Sequence, residues 1–413
     1  MSSPRQSAAI LAIGTLLFAS AGISGDAEAP MFTVNGFGTF GVVHSDVDNA
    51  DFSISSERPT GAGYTRESSF KVDSLIAVQL NAAFTPKASA VLQAMSEQNY
   101  DGTFRPHLEW ASFKYQFTPE FSVQIGRSTL PLFQLSDSRK VGLTFPWVRA
   151  PADLYHLTSA ASLDGITINY RMHLGQWTHS LQLLAGRNDL KLPDSGGSAK
   201  TRKLWMASNT AELGSLTVRI VAADSEVTTP TANQLWDAFR QFGPQGVAIA
   251  NRYELKQNRI SYLGVGASYD PGQWFVATEW GGLFSHSIVG RRIGWYASGG
   301  YRFGRLTPYL TFSGGDANNL SDPGLDVATL PSYLVGPATG LNATLNSILS
   351  RKPVERTVSI GTRWDVRPNI AFKMQFDHTN IGAGSSGVLI NVRPGFVLGG
   401  SFNLVSAAIH FVY

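Results

Sequence analysis

The last eleven residues, NLVSAAIHFVY, place Val405, Ala407, Ile409, Phe411 and Tyr413 on one face of a strand and finish the chain on an aromatic ring. In an open sheet, such a strand would leave unpaired N–H and C=O groups along an apolar edge, a template for aggregation. A closed sheet pairs that strand and has no edge. Near the other end, FTVNGFGTFGVV offers the partner strand. The sequence therefore predicts a barrel sealed between its first and last strands.

The residues between keep a period of two. Ala111, Phe113, Tyr115 and Phe117 alternate with Ser112, Lys114 and Gln116. Ile166, Ile168, Tyr170 and Met172 alternate with Thr167, Asn169 and Arg171. Ile370, Phe372, Met374 and Phe376 alternate with Ala371, Lys373, Gln375 and Asp377. Hydrophobic residues make up 43% of the chain, yet its mean hydropathy is only -0.04, so apolar residues are diluted by alternation and not gathered into blocks. A wall greasy on one side and wet on the other reads this way. Counting hairpins gives sixteen strands, near residues 32–44, 70–84, 88–99, 108–118, 121–128, 164–174, 177–187, 203–213, 215–225, 258–270, 273–285, 292–303, 306–314, 354–366, 369–380 and 402–413. VLINV near Leu389 is a further strand or part of the last loop. The fold class is all-β, an antiparallel up-and-down transmembrane barrel of 16 to 18 strands, wide enough for an aqueous channel. Two loop segments read as short helices, ANQLWDAFRQF and LNATLNSILSRK.

Ahead of the first strand, Arg5, an apolar stretch from Ala8 to Phe18 and the small residues Ala19, Ser20 and Ala21 read as a secretory signal. Cleavage after Ala21 leaves a short segment, 22–31, before a single barrel domain, 32–413. The chain has no cysteine, which excludes disulfides and thiolate metal sites, and a net charge of +3 is too small to argue for nucleic acid. The eight histidines are scattered without metal-ligand spacing, and no phosphate-cradling glycine loop appears. No cofactor is expected. For serine hydrolysis the candidates are Ser285, His286 and Ser287, or His179 with Ser180. Adjacent strand residues point to opposite faces, so no catalytic arrangement is expected.

Connections alternate between short turns and long loops. FTPKAS, FTPEFS, YDPGQW, RFGRLTP and DVRPNI are short, whereas residues 45–70, 129–163, 188–202, 226–257 and 315–353 are long and polar. That alternation, with the short side in the periplasm, is the outer-membrane arrangement. The terminal strand resembles the C-terminal signature of bacterial outer-membrane barrels, whose final aromatic residue is read by the barrel-assembly machinery; here that residue is Tyr413. Strand five ends in VQIGR and opens the third long loop, at about 129–163, which resembles the sixteen-stranded general porins. There the third loop folds into the channel and the arginine after the glycine faces it, a position that Arg127 matches. The acidic PEF-type motif of that family's loop is absent, and the loop reads LPLFQLSDSRKVGLTFPWVRAPADLY. The resemblance implies a Gram-negative outer-membrane channel, assembled as a homotrimer, that passes small hydrophilic solutes.

With the lipid face assigned, the opposite parity supplies the pore wall. Its basic members are Lys114, Arg171, Arg219, Arg302, Arg363 and Lys373; its acidic members are Glu279, Glu355 and Asp377. In the third loop Arg139, Lys140 and Arg149 outnumber Asp137 and Asp153. Fixed charges in a narrow water column bias which ions pass, so a mild lean toward anions is expected. Phe145, Pro146 and Trp147 are expected to anchor the loop inside the barrel, with a greasy slide for apolar solutes as the other reading. Trp177, Tyr269, Trp274, Trp295 and Trp364 fall near strand ends, as a membrane girdle requires. The leading expectation is passive diffusion. The alternatives are a substrate-specific channel for a small organic acid, phosphate or an apolar compound, and a structural or adhesive barrel plugged by its loops.

Overall fold

A computed structural model describes residues 31–193, 197–318, 320–350 and 353–413. The signal segment 1–21 and most of 22–31 lie outside the described residues. Sixteen long strands follow one another antiparallel: β1 Phe32–Ser45, β2 Leu75–Thr85, β3 Ala88–Glu97, β4 His107–Gln116, β5 Phe121–Thr129, β6 Ser162–Leu174, β7 Trp177–Lys191 and β8 Ser198–Leu213. β9 Leu216–Thr228, β10 Asn258–Tyr269, β11 Trp274–Ser285, β12 Arg291–Tyr301, β13 Leu306–Ala317, β14 Glu355–Arg367, β15 Ile370–Ile381 and β16 Ser401–Val412 complete the sheet. Each expected strand is present, with ends shifted by a few residues. The barrel closes as β1 pairs with β16, from Phe37 opposite Val412 to Ser45 opposite Leu404.

The seal explains the aromatic terminus. Gly36 and Tyr413 exchange two backbone hydrogen bonds, at 3.0 and 2.9 Å. A Cβ on Gly36 would stand 2.0 Å from the Tyr413 ring, so the glycine makes the space that the last side chain fills. Where the turns are short, the outward face carries a band of rings: Tyr115, Phe117, Tyr170, Tyr269, Trp274, Tyr301, Phe303 and Trp364 are all exposed there. Neighbouring rings touch in pairs, Tyr115 with Phe117 at 4.8 Å and Tyr301 with Phe303 at 4.7 Å between centroids. Amphipathic rings of this kind settle at a membrane–water interface. Above them Ile125, Ile166, Leu183, Ile220 and Leu263 form the exposed apolar wall.

Among the described residues the long loops carry four α-helices: α1 Ala152–Tyr155, α2 Asn233–Arg240, α3 Gly243–Tyr253 and α4 Ser332–Ser350. α2, α3 and α4 bury Trp236, Phe239, Tyr253, Leu345 and Leu349 in a core of their own, apart from the barrel. α2 lies where the sequence placed a helix. α4 begins nine residues earlier than expected and carries Pro337 inside it, where the missing N–H leaves the Tyr333 carbonyl without its intrahelical bond. VLINV is loop and not strand: Ile390 makes a single bridge to Asp51 in the first long loop.

Candidate functional site: the inward third loop and the cavity beside it

Between β5 and β6 the chain turns into the barrel. Leu130, Leu132, Phe133, Phe145, Trp147, Leu154 and Tyr155 pack into one buried cluster with Leu184, Met206, Val221, Tyr262, Tyr296 and Tyr309 from the inner wall. This burial repays the cost of ordering a loop of some thirty residues. Trp147 is 3% exposed, and its indole N–H lies 2.9 Å from both Ser298 Oγ and Thr311 Oγ1. Its ring meets Tyr296 edge-on at 5.5 Å. That is the geometry of an anchor, not of a surface open to solute.

A loop without regular structure leaves carbonyls unbonded, and the wall's cations take them up. Lys373 on β15 is fully buried. Its ammonium donates to the carbonyls of Gly142, Phe145 and Trp147 at 2.6, 2.8 and 2.7 Å, using all three of its protons. It also sits 4.5 Å over the Phe145 ring. Arg363 on β14 donates to the Leu143 and Phe145 carbonyls and pairs with Asp365. Arg219 on β9 donates to the Pro131 carbonyl. Glu279 on β11 accepts the Gln134 backbone N–H at 2.7 Å and the Tyr155 hydroxyl at 3.2 Å. Loop residue Arg149 donates to Asp73 at 2.9 and 2.7 Å, to Asp377 at 3.3 Å and to Ser406 at 2.7 Å. Asp153, on α1, accepts from Ser313 at 2.6 Å and Thr357 at 3.4 Å. Burial pushes its carboxyl up to about 6, beside the carboxyl of Glu355.

Glycines let the loop come this close. A Cβ on Gly294 of β12 would stand 2.4 Å from the Asp153 carbonyl oxygen and 2.6 Å from the Leu154 Cα, both backbone atoms. Gly281 of β11 faces a Leu154 methyl at 3.0 Å in the same way, and Gly142 of the loop leaves room for the His410 ring of β16. No charge or motif marks this bed. Its one sequence signal is the set of inward glycines Gly264, Gly266, Gly281 and Gly294.

The loop packs on the wall from β7 to β16 and reaches β1 to β4 through Val141 and Lys140, leaving open space on that side. There a cavity of about 600 Å³ runs from Tyr100 and Ser159 near the long loops down to Thr39, Gly142 and His410. Its charged core is Arg58, Lys140, Arg139 and His107 facing Glu97 and Glu109. Glu97 pairs with Arg58 at 2.8 Å and with Lys140 at 2.5 Å, and Glu109 pairs with Lys140 at 3.4 Å and His107 at 3.3 Å. Arg139 lines the same cavity, and among the described residues no carboxylate stands within 4.0 Å of its guanidinium.

The structure distributes the other expected site residues as follows. Arg149 borders the cavity but spends its guanidinium on Asp73 and Asp377. Arg127 touches the cavity mouth while sharing the parity of exposed Ile125, and it is paired with Asp164 through Nε and Nη2 at 2.8 and 2.9 Å. Asp137 is exposed on the loop, Lys114 is half-buried on the inner face, and Arg171 is exposed near the short-turn end. Arg302 departs from its expected place on the wall. It lies just beyond β12, where its guanidinium bonds both Asp270 oxygens at 2.7 Å and the Gly272 carbonyl at 2.9 Å, closing the turn before β11. Arg58, Glu97, Glu109 and His107 were not singled out in the sequence. Only the fold brings the first long loop, β3 and β4 to one place.

Known structures share this architecture. The outer membrane channel DcaP of Acinetobacter baumannii superposes with a TM-score of 0.54 at 12% identity, over 92% of this chain and 97% of that one. The anion-selective porin from Comamonas acidovorans gives 0.52 at 10% identity, over 92% and 99%. The in-vitro folded trimer form of OmpT from Vibrio cholerae gives 0.51 at 10%, over 93% and 100%. At such identities the likeness is one of fold. No curated protein matches the chain in sequence. Residues 37–285, more than half of the chain, match the model of a family described as phosphate-selective porin O and P. A closed sixteen-stranded barrel with an inward loop, an aromatic girdle and that match together make this chain a porin of the bacterial outer membrane, a member of the phosphate-selective porin O and P family.

Proposed function

We propose that this porin is a passive diffusion pathway for small hydrophilic solutes, working as a homotrimer without catalytic turnover and mildly favouring anions. Arg139 carries the selectivity. At the core of the cavity each carboxylate is already neutralised by an arginine, lysine or histidine, whereas the Arg139 guanidinium has no acidic partner within 4.0 Å among the described residues. An unpaired cation in a narrow water column attracts anions and repels cations. The wall cations Lys373, Arg363 and Arg219 contribute less than their number suggests, since loop carbonyls occupy them. The anion-selective Comamonas porin and the trimer form of OmpT agree with this reading.

The test is the zero-current potential of the refolded protein in a planar bilayer under a potassium chloride gradient. The native channel should give the anion-selective sign. Arg139→Glu should carry the potential through zero toward cation selectivity. An unchanged potential in Arg139→Glu overturns the assignment. The family's description favours a second reading, a channel specific for phosphate. Millimolar orthophosphate that blocks chloride current saturably would support it.

A further inference from the structure

Pairing registers sort the inner wall into rows where the tip of the third loop meets it. Nearest the long loops, His410 of β16, Thr39 of β1, Leu75 of β2 and Glu97 of β3 stand side by side, and all four line the cavity. Two residues further along each strand, about 7 Å toward the short turns, the row is Val412, Phe37, Ala77 and Met95. None of these four lines the cavity. A further step brings Asn35, Gln79 and Gln93, where Gln93 donates to Gln79 at 2.7 Å and Gln79 to Asn81 at 2.8 Å. An apolar row thus lies between two polar ones.

Val141 of the loop fills that row. It packs with Phe37, Ala77 and Met95 in one cluster, flanked by Leu75 and Val412, and the exposures of the four are 7%, 8%, 1% and 1%. A layer this dry interrupts water between the cavity above and the amides below, as a hydrophobic constriction does in a channel that gates by losing its water. On β4 the row ends at His107, which borders the cavity, so the layer is the cavity's floor along β16 to β3. The apolar hold on the loop is slightest here. The anchor cluster takes seven buried side chains from the loop, whereas the collar takes Val141 alone. The tip is a self-contained turn: the Val141 N–H donates to the Ser138 carbonyl at 2.8 Å, and the Thr144 N–H and hydroxyl donate to the Val141 carbonyl at 3.0 and 2.8 Å. A turn whose backbone bonds are internal can leave the wall without stranding them. Its other ties are the pairs of Lys140 with Glu97 and Glu109 and the bond of the Gly142 carbonyl to Lys373. Lys140, Glu97, Glu109 and Gly142 all border the cavity, where water can replace a partner.

We propose that Val141 and the collar of Val412, Phe37, Ala77 and Met95 form a hydrophobic gate in the floor of the cavity, shut in this structure and opened when residues 138–144 lift from the wall. This rests on the reading of the protein as a diffusion channel and adds to it a closed state that uses no charge. The refolded full-length protein is recorded in planar bilayers. Val141→Asn places an amide in the dry layer from the loop side and should lengthen open dwell times at least about threefold. Met95→Gln does so from the wall side and should act alike. Val247→Asn, the same kind of change on the exposed face of α3, should leave the dwell times native. None of these substitutions alters a charge, so the zero-current potential assigned to Arg139 should stay that of the native channel, which separates gate from selectivity. Heat-modified gel mobility shows which variants have folded, and a folded Val141→Asn or Met95→Gln variant with native dwell times overturns the gate while the channel stands. No current from the native protein or from either of these variants overturns the channel, and the gate with it.

Discussion

The two halves of the barrel use the same residues for opposite ends. Along β9 to β16, inward Lys373, Arg363, Arg219 and Glu279 are bonded to the third loop's backbone; on β3 and β4, Glu97 and Glu109 pair directly with side chains, Lys140 of the loop among them, at the edge of the cavity. Lys373 and Lys140 show the contrast. The first spends its three protons on loop carbonyls, and the second stays partly exposed between Glu97 and Glu109. A charge inside the barrel is therefore a fastener where the loop's backbone covers it and part of the cavity lining where only side chains meet. Counting charges by parity treats the two alike.

The contrast breaks most severely at Lys373. Lys373→Met removes the shared donor of three buried carbonyls, each of which then needs water or another partner. The loop is expected to lose about 3 kcal/mol or more of its attachment. Conductance should become larger and noisier, with the barrel itself intact by heat-modified gel mobility; quiet, native-size steps would mean that the loop is held elsewhere.

Gly294→Val acts on the same half without touching a charge. Its side chain must displace loop backbone at 2.4 and 2.6 Å, at a cost of about 1–3 kcal/mol. Limited proteolysis within 130–161 should accelerate. If the cleavage rate is that of the native protein, the glycine bed is not needed for the close approach.

The smallest effect is a titration. Asp153, raised to about 6, keeps a proton in the docked loop that an undocked loop would release at lower pH. Docking is therefore strongest below about pH 4, weakens by up to about tenfold per pH unit as pH rises toward 6, and changes by less than about twofold between pH 6 and 7. Loop-opening events in single-channel records should become more frequent as pH rises toward 6. Asp153→Asn should flatten the dependence, and an Asn variant that keeps the native slope would assign the titration to another group.

The strand count, the seal and the girdle were legible because each rests on local rules: period two, turn residues and a terminal aromatic ring. The third loop's inward turn was expected from the resemblance of VQIGR and the loop after it to the general porins, with Phe145 to Trp147 as its anchor. The allocation of charges was not. Whether Arg363 faces water depends on where Leu143 and Phe145 lie, two hundred residues away in sequence. Arg302 was misplaced by a short step, since the strand ends at Tyr301 and the next residue already serves the turn. Arg58 escaped notice because its place beside Glu97 depends on a loop folding back over β3.

The seal also sets a schedule for folding. β1 holds β2 through Phe32 to Thr39 and β16 through Phe37 to Ser45, so one strand must keep a register for a partner that is made last. Thr39 and His410, hydrogen-bonded at 2.8 Å, are 371 positions apart. Contacts of such separation give no return until nearly all of the chain has been ordered, and they form slowly. Until Tyr413 arrives beside Gly36, both edges of a sixteen-stranded sheet stay open. For this porin the hazardous interval is therefore the journey before closure, and the time it spends there is governed by the last strand more than by the stability of the finished barrel.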